Sequence, residues 1–362
     1  MSSKSISLYV HFPFCIKKCA YCAFFSIPQT GTELFDAYTD ACIRDIKAIP
    51  KSDISTIYFG GGTPTVIGDT RLCRVLDAVY DAHNVSPDAE ITVEANPGTV
   101  TSDGLKTLNE NGVNRLSLGL QSANDETLKR IGRIHDKRRF CECYDDAVKY
   151  FDNISVDVMF ALPDDDPAST FEFVKELSPK HVSAYSLMLE EGTPLYNEKC
   201  RYSFPSEDEE EEQYSRLCEA FDDYEHYEIS SFAKKGYESR HNSAYWKRYD
   251  YIGIGPAAHS FWKNRRFSYP KDIEGFIKSG PFPLFTDFES SPEITADEAE
   301  EERILLGLRL AEGVSIPHDM FTKAKTFADA GFATLKNGVF ALNEKGYRIS
   351  NYIISELLAA KG

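Results

Sequence analysis

Apolar residues in the first half of the chain switch between two periods. Short runs at Ile6–Val10, Ile54–Phe59, Glu90–Ala95, Asn114–Leu120, Ile154–Leu162 and His181–Leu189 read as strands. Between them lie stretches with apolar residues at helical spacing. These are Leu34–Ile49, then Leu72, Val75, Leu76 and Val79, then Leu105–Asn111, Lys137–Phe151 and Phe171–Leu177. Such alternation implies parallel strands joined by right-handed crossovers. Six strand–helix units rather than eight predict an incomplete, TIM-like (β/α)6 barrel.

Period-two alternation also sorts polar residues onto one face of these strands. Thr92, Glu94 and Asn96 share a face, as do Arg115, Ser117, Gly119 and Gln121, and Asp157 opposes Ile154, Val156 and Val158. Polar groups late in barrel strands favour ligand binding, because such folds place their chemistry at the C-terminal strand ends. The bland alternative is a lumen whose polar side chains pair only with one another.

The second half is less regular. Ser206 and Glu209 form a capping-box pattern ahead of a helix carrying Tyr214, Leu217, Cys218 and Phe221. The acids of Glu207–Glu212 then sit in its first turns, where the helix dipole favours them. Tyr227–Phe232 reads as a strand, and an apolar strand precedes the glycine-rich turn around Gly253 and Gly255. Pro281, Pro283 and Pro292 mark a linker. Beyond it come helices at Glu298–Leu310 and Pro317–Ala330, turns at Gly338 and Gly346 around Phe340–Leu342, and a last helix, a winged-helix-like order. The expected division is a barrel over 1–205, an extension over 206–285 and the winged-helix-like module over 286–362, packed on the barrel.

Charge narrows the partners. The 362 residues carry a formal charge of −17, which opposes nucleic-acid binding and gives no attraction to an anionic membrane. The last seventy residues, from Glu293, hold 11 Asp+Glu against 8 Lys+Arg, a net of −3. That balance argues against DNA reading by the C-terminal module and against a tRNA substrate. The first residues lack a signal peptide's apolar core, and no apolar run is long enough to span a bilayer. Nine cysteines in such a chain predict a reducing compartment, the cytoplasm.

Three of those cysteines carry the chemistry. Cys15, Cys19 and Cys22 stand at C-x3-C-x2-C spacing just after the first strand. Thiolates hold iron–sulfur clusters, normally one per iron. Three in one loop can hold three irons of a 4Fe–4S cube and leave the fourth open. A structural zinc site would want four ligands in paired units, and no partner pair is visible. Cys42, Cys73, Cys141, Cys143, Cys200 and Cys218 show no ligand spacing and read as free thiols.

This motif after a first strand resembles the radical S-adenosylmethionine (SAM) superfamily. Further segments make the chain similar to the oxygen-independent coproporphyrinogen III oxidase family, and within it to the HemW-like heme chaperones. They are Tyr9–Cys15, Gly60–Thr65, Glu94–Gly98, Gly119–Ser122, Gly132–His135, Asp157 with Leu162–Pro163, and His241–Trp246. The resemblance implies the partial barrel, a 4Fe–4S cluster on Cys15, Cys19 and Cys22, and SAM on the open iron. It implies a SAM pocket lined by Tyr9, Gly61, Gly62, Thr63, Glu94, Gln121, Arg133 and Asp157, with Tyr21 shielding the cluster and Gly253 and Gly255 near the adenine. Glycines let backbone approach a ligand, and the planar fork of Arg133 suits a carboxylate. His11, His135 and His259 read as packing or hydrogen-bonding residues.

Two departures separate the chain from the oxidases. They carry a cysteine two residues after the third cluster cysteine, where this chain has Phe24, and a longer segment ahead of Tyr9. Both put decarboxylation of coproporphyrinogen III in doubt. The resemblance therefore implies a chaperone that binds heme and hands it to acceptor proteins, the oxidase being the alternative. The acceptor can itself be membrane-associated, and no oligomeric state follows. His241, Asn242, Tyr245 and Trp246 match the H-N-x-x-Y-W pattern of the chaperone subgroup. Histidine is a common heme ligand and the aromatics can stack on a porphyrin. Equally, the segment can simply close the barrel's open edge.

Overall fold

The computed structural model describes residues 5–29 and 31–360. Six strand–helix units open the chain, as the periodicity predicts. They are β1 (Ile6–Phe12), α1 (Thr32–Ala48), β2 (Asp53–Gly61), α2 (Asp69–Ala82), β3 (Asn84–Ala95), α3 (Ser102–Glu110), β4 (Arg115–Gln121), α4 (Lys137–Ala147), β5 (Asn153–Phe160), α5 (Ala168–Leu177) and β6 (His181–Ser186). Neighbouring strands from β1 to β6 all pair in parallel.

The chain then caps both edges. Helix α6 (Glu207–Ala220) begins with the Ser206–Glu209 capping box. A hairpin, β7 (Glu225–Glu228) and β8 (Ser231–Ala233), adds antiparallel to β6. The expected single strand over Tyr227–Phe232 is thus two strands; the Ser230 amide donates to the Glu228 carboxylate at their turn. After α7 (Arg240–Trp246), strand β9 (Tyr251–Ile254) returns to the other edge and pairs in parallel with β1. Strands β10 (His259–Trp262) and β11 (Arg265–Ser268) follow antiparallel. The sheet order is β11-β10-β9-β1-β2-β3-β4-β5-β6-β8-β7. A seventh parallel strand therefore joins the six expected ones. Local periodicity shows β9 as a strand but not its distant partner.

Register explains the two faces. Leu8, Val10, Phe12, Ile57, Phe59, Val93, Leu116, Leu118, Val156, Val158 and Val182 point one way and are wholly buried under the helices. Each contributes about 1.5–3 kcal/mol of hydrophobic burial. Alternate positions point the other way and are polar: Tyr9, Thr56, Tyr58, Thr92, Glu94, Arg115, Ser117, Ser155, Asp157, His181 and Ser183. The fold buries its greasy face outward, against helices, and its polar face inward.

The C-terminal segment comprises α8 (Ala296–Gly307), β12 (Val314–Ser315), α9 (Phe321–Asp329), β13 (Ala333–Lys336), β14 (Val339–Leu342) and α10 (Ser350–Leu358). Its strands form an antiparallel sheet in the order β12-β14-β13. It packs on the rest of the chain. The Ile229 amide bonds the Arg309 carbonyl at 3.1 Å, and Arg348 bonds Glu211 at 2.6 Å and Ser215 at 2.8 Å on α6. Among the described residues, no helix is long and apolar enough to cross a membrane.

Candidate metal and cofactor site

The cysteine loop leaves the C-terminal end of β1 and is pinned by its backbone. Phe14–Cys15 pairs with Ile27–Pro28, the Ala20 amide bonds the Ile131 carbonyl at 2.9 Å, and the Leu195 amide bonds the Ala20 carbonyl at 2.9 Å. Gly132 is required there: its φ is +81°, and a Cβ would lie 3.2 Å from the Ala20 nitrogen. Cys15, Cys19 and Cys22 are all half-buried. Burial pushes the Cys15 and Cys22 thiols up, and each also feels its neighbouring cysteines.

Among the described residues, the one group of three or more Cys, His, Asp or Glu whose ligand atoms all lie within 4.8 Å of one another is Cys218, His226 and Glu344. The donors aimed at the loop sulfurs suit a cluster. The Thr63 hydroxyl donates to Cys15 Sγ at 3.7 Å and Arg133 Nη1 to Cys19 Sγ at 3.6 Å. N–H and O–H donors on sulfur stabilise thiolates, and the guanidinium offsets their charge.

A third residue joins those two donors. Asn96 Nδ2 donates to Thr63 Oγ1 at 2.8 Å, while its Oδ1 accepts from Arg133 Nη2, which also donates to the Gly119 carbonyl at 3.0 Å. A chain of hydrogen bonds thus runs Cys15–Thr63–Asn96–Arg133–Cys19 across the mouth of the barrel. Gly119 makes room: a Cβ there would lie 2.8 Å from Asn96, 2.9 Å from Gln121 and 3.0 Å from Arg133. Gln121 itself adopts a left-handed φ of 69°, a conformation that costs energy and clusters at functional sites. Arg133 Nε is buried without a protein partner. Tyr21 packs with Leu187 on Leu128, Ile131, Met159 and Leu162, beside Arg133.

Below this chain lies a second group. Tyr58 donates to Glu94 Oε1 at 2.7 Å and the Gly61 amide to Oε2 at 3.2 Å. Burial, with the Asp157 carboxyl nearby, pushes Glu94 up to about 7. Asp157 accepts from Ser117 at 2.7 Å and Ser155 at 3.0 Å, and burial raises it too. The buried Arg115 sits among these carboxylates. Tyr9 donates to His11 Nδ1 at 2.9 Å, so His11 Nε2 carries the proton given to the Phe25 carbonyl at 2.9 Å. His11 thus ties β1 to the cysteine loop as a packing residue.

Gly61 and Gly62 are glycines because protein atoms fill their Cβ positions. At Gly61, φ is +109° and a Cβ would meet the His11 ring at 2.5 Å; at Gly62 it would meet the Phe14 and Phe12 carbonyls at 2.7 and 2.8 Å. The Gly62 and Thr63 amides bond those two carbonyls, both at 2.8 Å. The glycines dock this loop onto the cysteine loop. Gly253 and Gly255 likewise accommodate protein: the His259 carbonyl fills the space at Gly253, and the Tyr38 hydroxyl and His11 carbonyl fill that at Gly255.

The 241–246 segment forms α7, capped by Ser239, with two amides on the Glu90 carboxylate at 2.9 Å. His241 is wholly buried. Nδ1 bonds the Thr56 hydroxyl at 2.7 Å, Nε2 bonds the Tyr245 hydroxyl at 2.8 Å, and the ring stacks on Tyr58 at 4.9 Å. With both nitrogens engaged, the ring is an anchor in this structure; coordinating iron would require breaking one of these bonds. Asn242 is half-buried, its amide bonding Ser239 Oγ at 3.3 Å, and the half-buried Trp246 ring lies 4.3 Å from the Arg309 guanidinium.

The structure thus gathers Cys15, Cys19, Cys22, Tyr21, Thr63, Gln121 and Arg133 at the mouth. It places Tyr9, Gly61, Glu94 and Asp157 on the lumen wall, and His241 with Tyr245 further in. Asn96 and Tyr58 belong in the site and are not among the pocket residues expected from sequence. Alternation had put Asn96 on the Glu94 face, and the same rule puts Tyr58 inward with Thr56.

Residues 9–177 match the family profile described as the radical SAM superfamily, so the fold and the cysteine loop define a radical SAM protein. The chain is 35% identical over 329 residues to the heme chaperone HemW of Lactococcus lactis, covering 87% of this chain and 84% of that one. It is 37% identical over 328 residues to the heme chaperone HemW of Escherichia coli, covering 80% and 84%. The solved structure of coproporphyrinogen III oxidase (HemN) from Escherichia coli superposes with a TM-score of 0.82 at 20% identity, covering 98% of this chain and 90% of that one, which shows the shared fold. The chain belongs to the HemW family.

Proposed function

We propose that this protein is a heme chaperone: it binds heme and passes it to acceptor proteins, with a 4Fe–4S cluster and SAM at the barrel mouth. The observation that carries the reading is the hydrogen-bond chain from Cys15 to Cys19 through Thr63, Asn96 and Arg133, in a chain related to named heme chaperones along most of its length. Cys15, Cys19 and Cys22 would hold the cluster, which supplies electron transfer and one open iron. Glu94, held by Tyr58 and the Gly61 amide, would receive the ammonium of SAM; Arg133, Gln121, Tyr9 and Asp157 would set its remaining polar groups. Tyr21 would cover the cluster with its ring. Nine cysteines with no disulfide among them, three for the cluster and six as thiols, support a reducing compartment, which we take as the cytoplasm. We also take 1–205 as the barrel, 206–285 as its extension and 286–362 as a winged-helix-like module.

Phe24 is 67% exposed where the oxidases carry a cysteine, which favours transfer over decarboxylation. The test is one anaerobic incubation of cluster-loaded protein with SAM and reductant, split between coproporphyrinogen III and heme plus an apo-hemoprotein. Heme should appear in the acceptor and coproporphyrinogen III should persist. Vinyl-bearing product would overturn the reading in favour of an oxidase.

For heme itself, α7 is the candidate region, through Asn242, Tyr245 and Trp246, with His241 anchoring the helix by its bonds to Thr56 and Tyr245. A cavity of about 600 Å³ opens beside α7, lined by Arg240 and Lys247 but also by Glu238 and Glu312; Lys247 pairs with Glu312 at 3.2 Å and Arg240 with Asp88 at 3.6 Å, and none of those four α7 residues lines it. His241→Ala removes a buried ring and two hydrogen bonds, so it should cost about 3 kcal/mol of stability. With His241 as an anchor, the variant's heme spectrum should match wild type in a titration. A changed spectrum with weakened binding would make His241 the ligand after all.

A further inference from the structure

We propose that Cys218, His226 and Glu344 form a second metal site, separate from the cysteine loop, that takes one divalent cation of the zinc class and clamps the C-terminal segment to the sheet edge. Their ligand atoms all lie within 4.8 Å of one another. Cys218 lies on α6 and His226 on β7, while Glu344 opens the helix Glu344–Arg348 that follows β14. The three donors thus come from two parts of the chain, which also meet through Arg348 and its partners on α6 and through the Ile229–Arg309 backbone bond.

The histidine has one ring nitrogen to spare. Its Nε2 faces the Ile229 carbonyl at 3.3 Å and the Tyr214 hydroxyl at 3.4 Å, and Tyr214 gives its own hydrogen to the Ile229 carbonyl at 3.1 Å, so Nε2 carries the proton. Nδ1 then presents a lone pair, and it is buried with no hydrogen-bond partner. A buried acceptor left unsatisfied costs about 1–3 kcal/mol, and a cation would remove that cost. The ring cannot easily turn away, because it stacks on Phe232 at 4.1 Å and meets Tyr347 edge-on at 5.1 Å. Cys218 is buried and Glu344 exposed, so the carboxylate is the arm free to close the last distance. A cavity of about 490 Å³, lined by His226, Asn343, Glu344 and Tyr347 among others, gives a cation access.

Thiolate, imidazole and carboxylate together suit a borderline cation such as zinc, and three protein ligands leave one position for water. Binding releases the Cys218 thiol proton to solvent and forms the metal–sulfur bond, with no change of oxidation state. A cation held only when α6, β7 and the 344–348 helix are assembled stabilises that assembly by mass action.

The test uses the full chain. Cluster-loaded protein should keep about one zinc per chain through gel filtration, and its melting temperature should rise by several degrees with zinc. Glu344→Gln, an exposed change, should lower zinc affinity at least about tenfold and abolish that rise without altering the zinc-free melting temperature. In a Cys15→Ala, Cys19→Ala, Cys22→Ala chain, cobalt should give one thiolate-to-cobalt band, lost on adding Cys218→Ser. The proposal fails if Glu344→Gln binds zinc as tightly as its parent, or if the cobalt band survives Cys218→Ser.

Discussion

Cys19→Ala is expected to reduce reconstituted iron and sulfide from about four of each per chain to below about one, and to abolish SAM-dependent chemistry. Two thiolates cannot hold a cube that three hold with one corner open. The fold should survive, because the loop is half-buried at the barrel mouth and its backbone is tied independently to Ile131 and Leu195. Far-ultraviolet circular dichroism should therefore match wild type while the cluster's visible absorption disappears. A variant that still takes up four irons would show that the cluster sits elsewhere.

The second large effect belongs to Arg133. Its guanidinium touches Cys19 Sγ, Asn96 and the Gly119 carbonyl, so Arg133→Ala breaks the chain between the cysteines and leaves Asn96 Oδ1 without its donor. Residues that orient metal ligands typically contribute 10–100-fold to metal affinity or activity, and about that loss is expected in SAM affinity, measured by equilibrium dialysis on cluster-loaded protein. Arg133→Lys should recover only part of it, because an ammonium cannot reproduce the fork that reaches sulfur and carbonyl together. Full recovery by lysine would reduce the role of Arg133 to its charge alone.

How much of this could be read beforehand follows from which signals are local. Strands β1 to β6 and their helices announce themselves by period, and the inward set of Glu94, Ser117 and Asp157 follows from alternation alone. The cysteine spacing is equally local. What escaped depends on contacts between distant segments. Strand β9 completes the sheet beside β1, some 240 residues away in sequence, and nothing near Tyr251 reports that pairing. Asn96 links Thr63 to Arg133 through a geometry that no spacing encodes. The glycines at 61 and 62 were rightly marked as special, but the atoms that fill their missing Cβ positions come from β1 and the cysteine loop. At His241 the motif is legible, while its burial and its bond to Thr56 depend on a distant segment and are not legible.

The account turns on the open corner of the cluster, and electron paramagnetic resonance of the reduced, anaerobically reconstituted protein reads that corner directly. The signal of a 4Fe–4S cluster should be present and should change on adding SAM, because SAM occupies the iron that Cys15, Cys19 and Cys22 leave free. A signal unmoved by saturating SAM, or a preparation holding zinc in place of iron and sulfide, would contradict it.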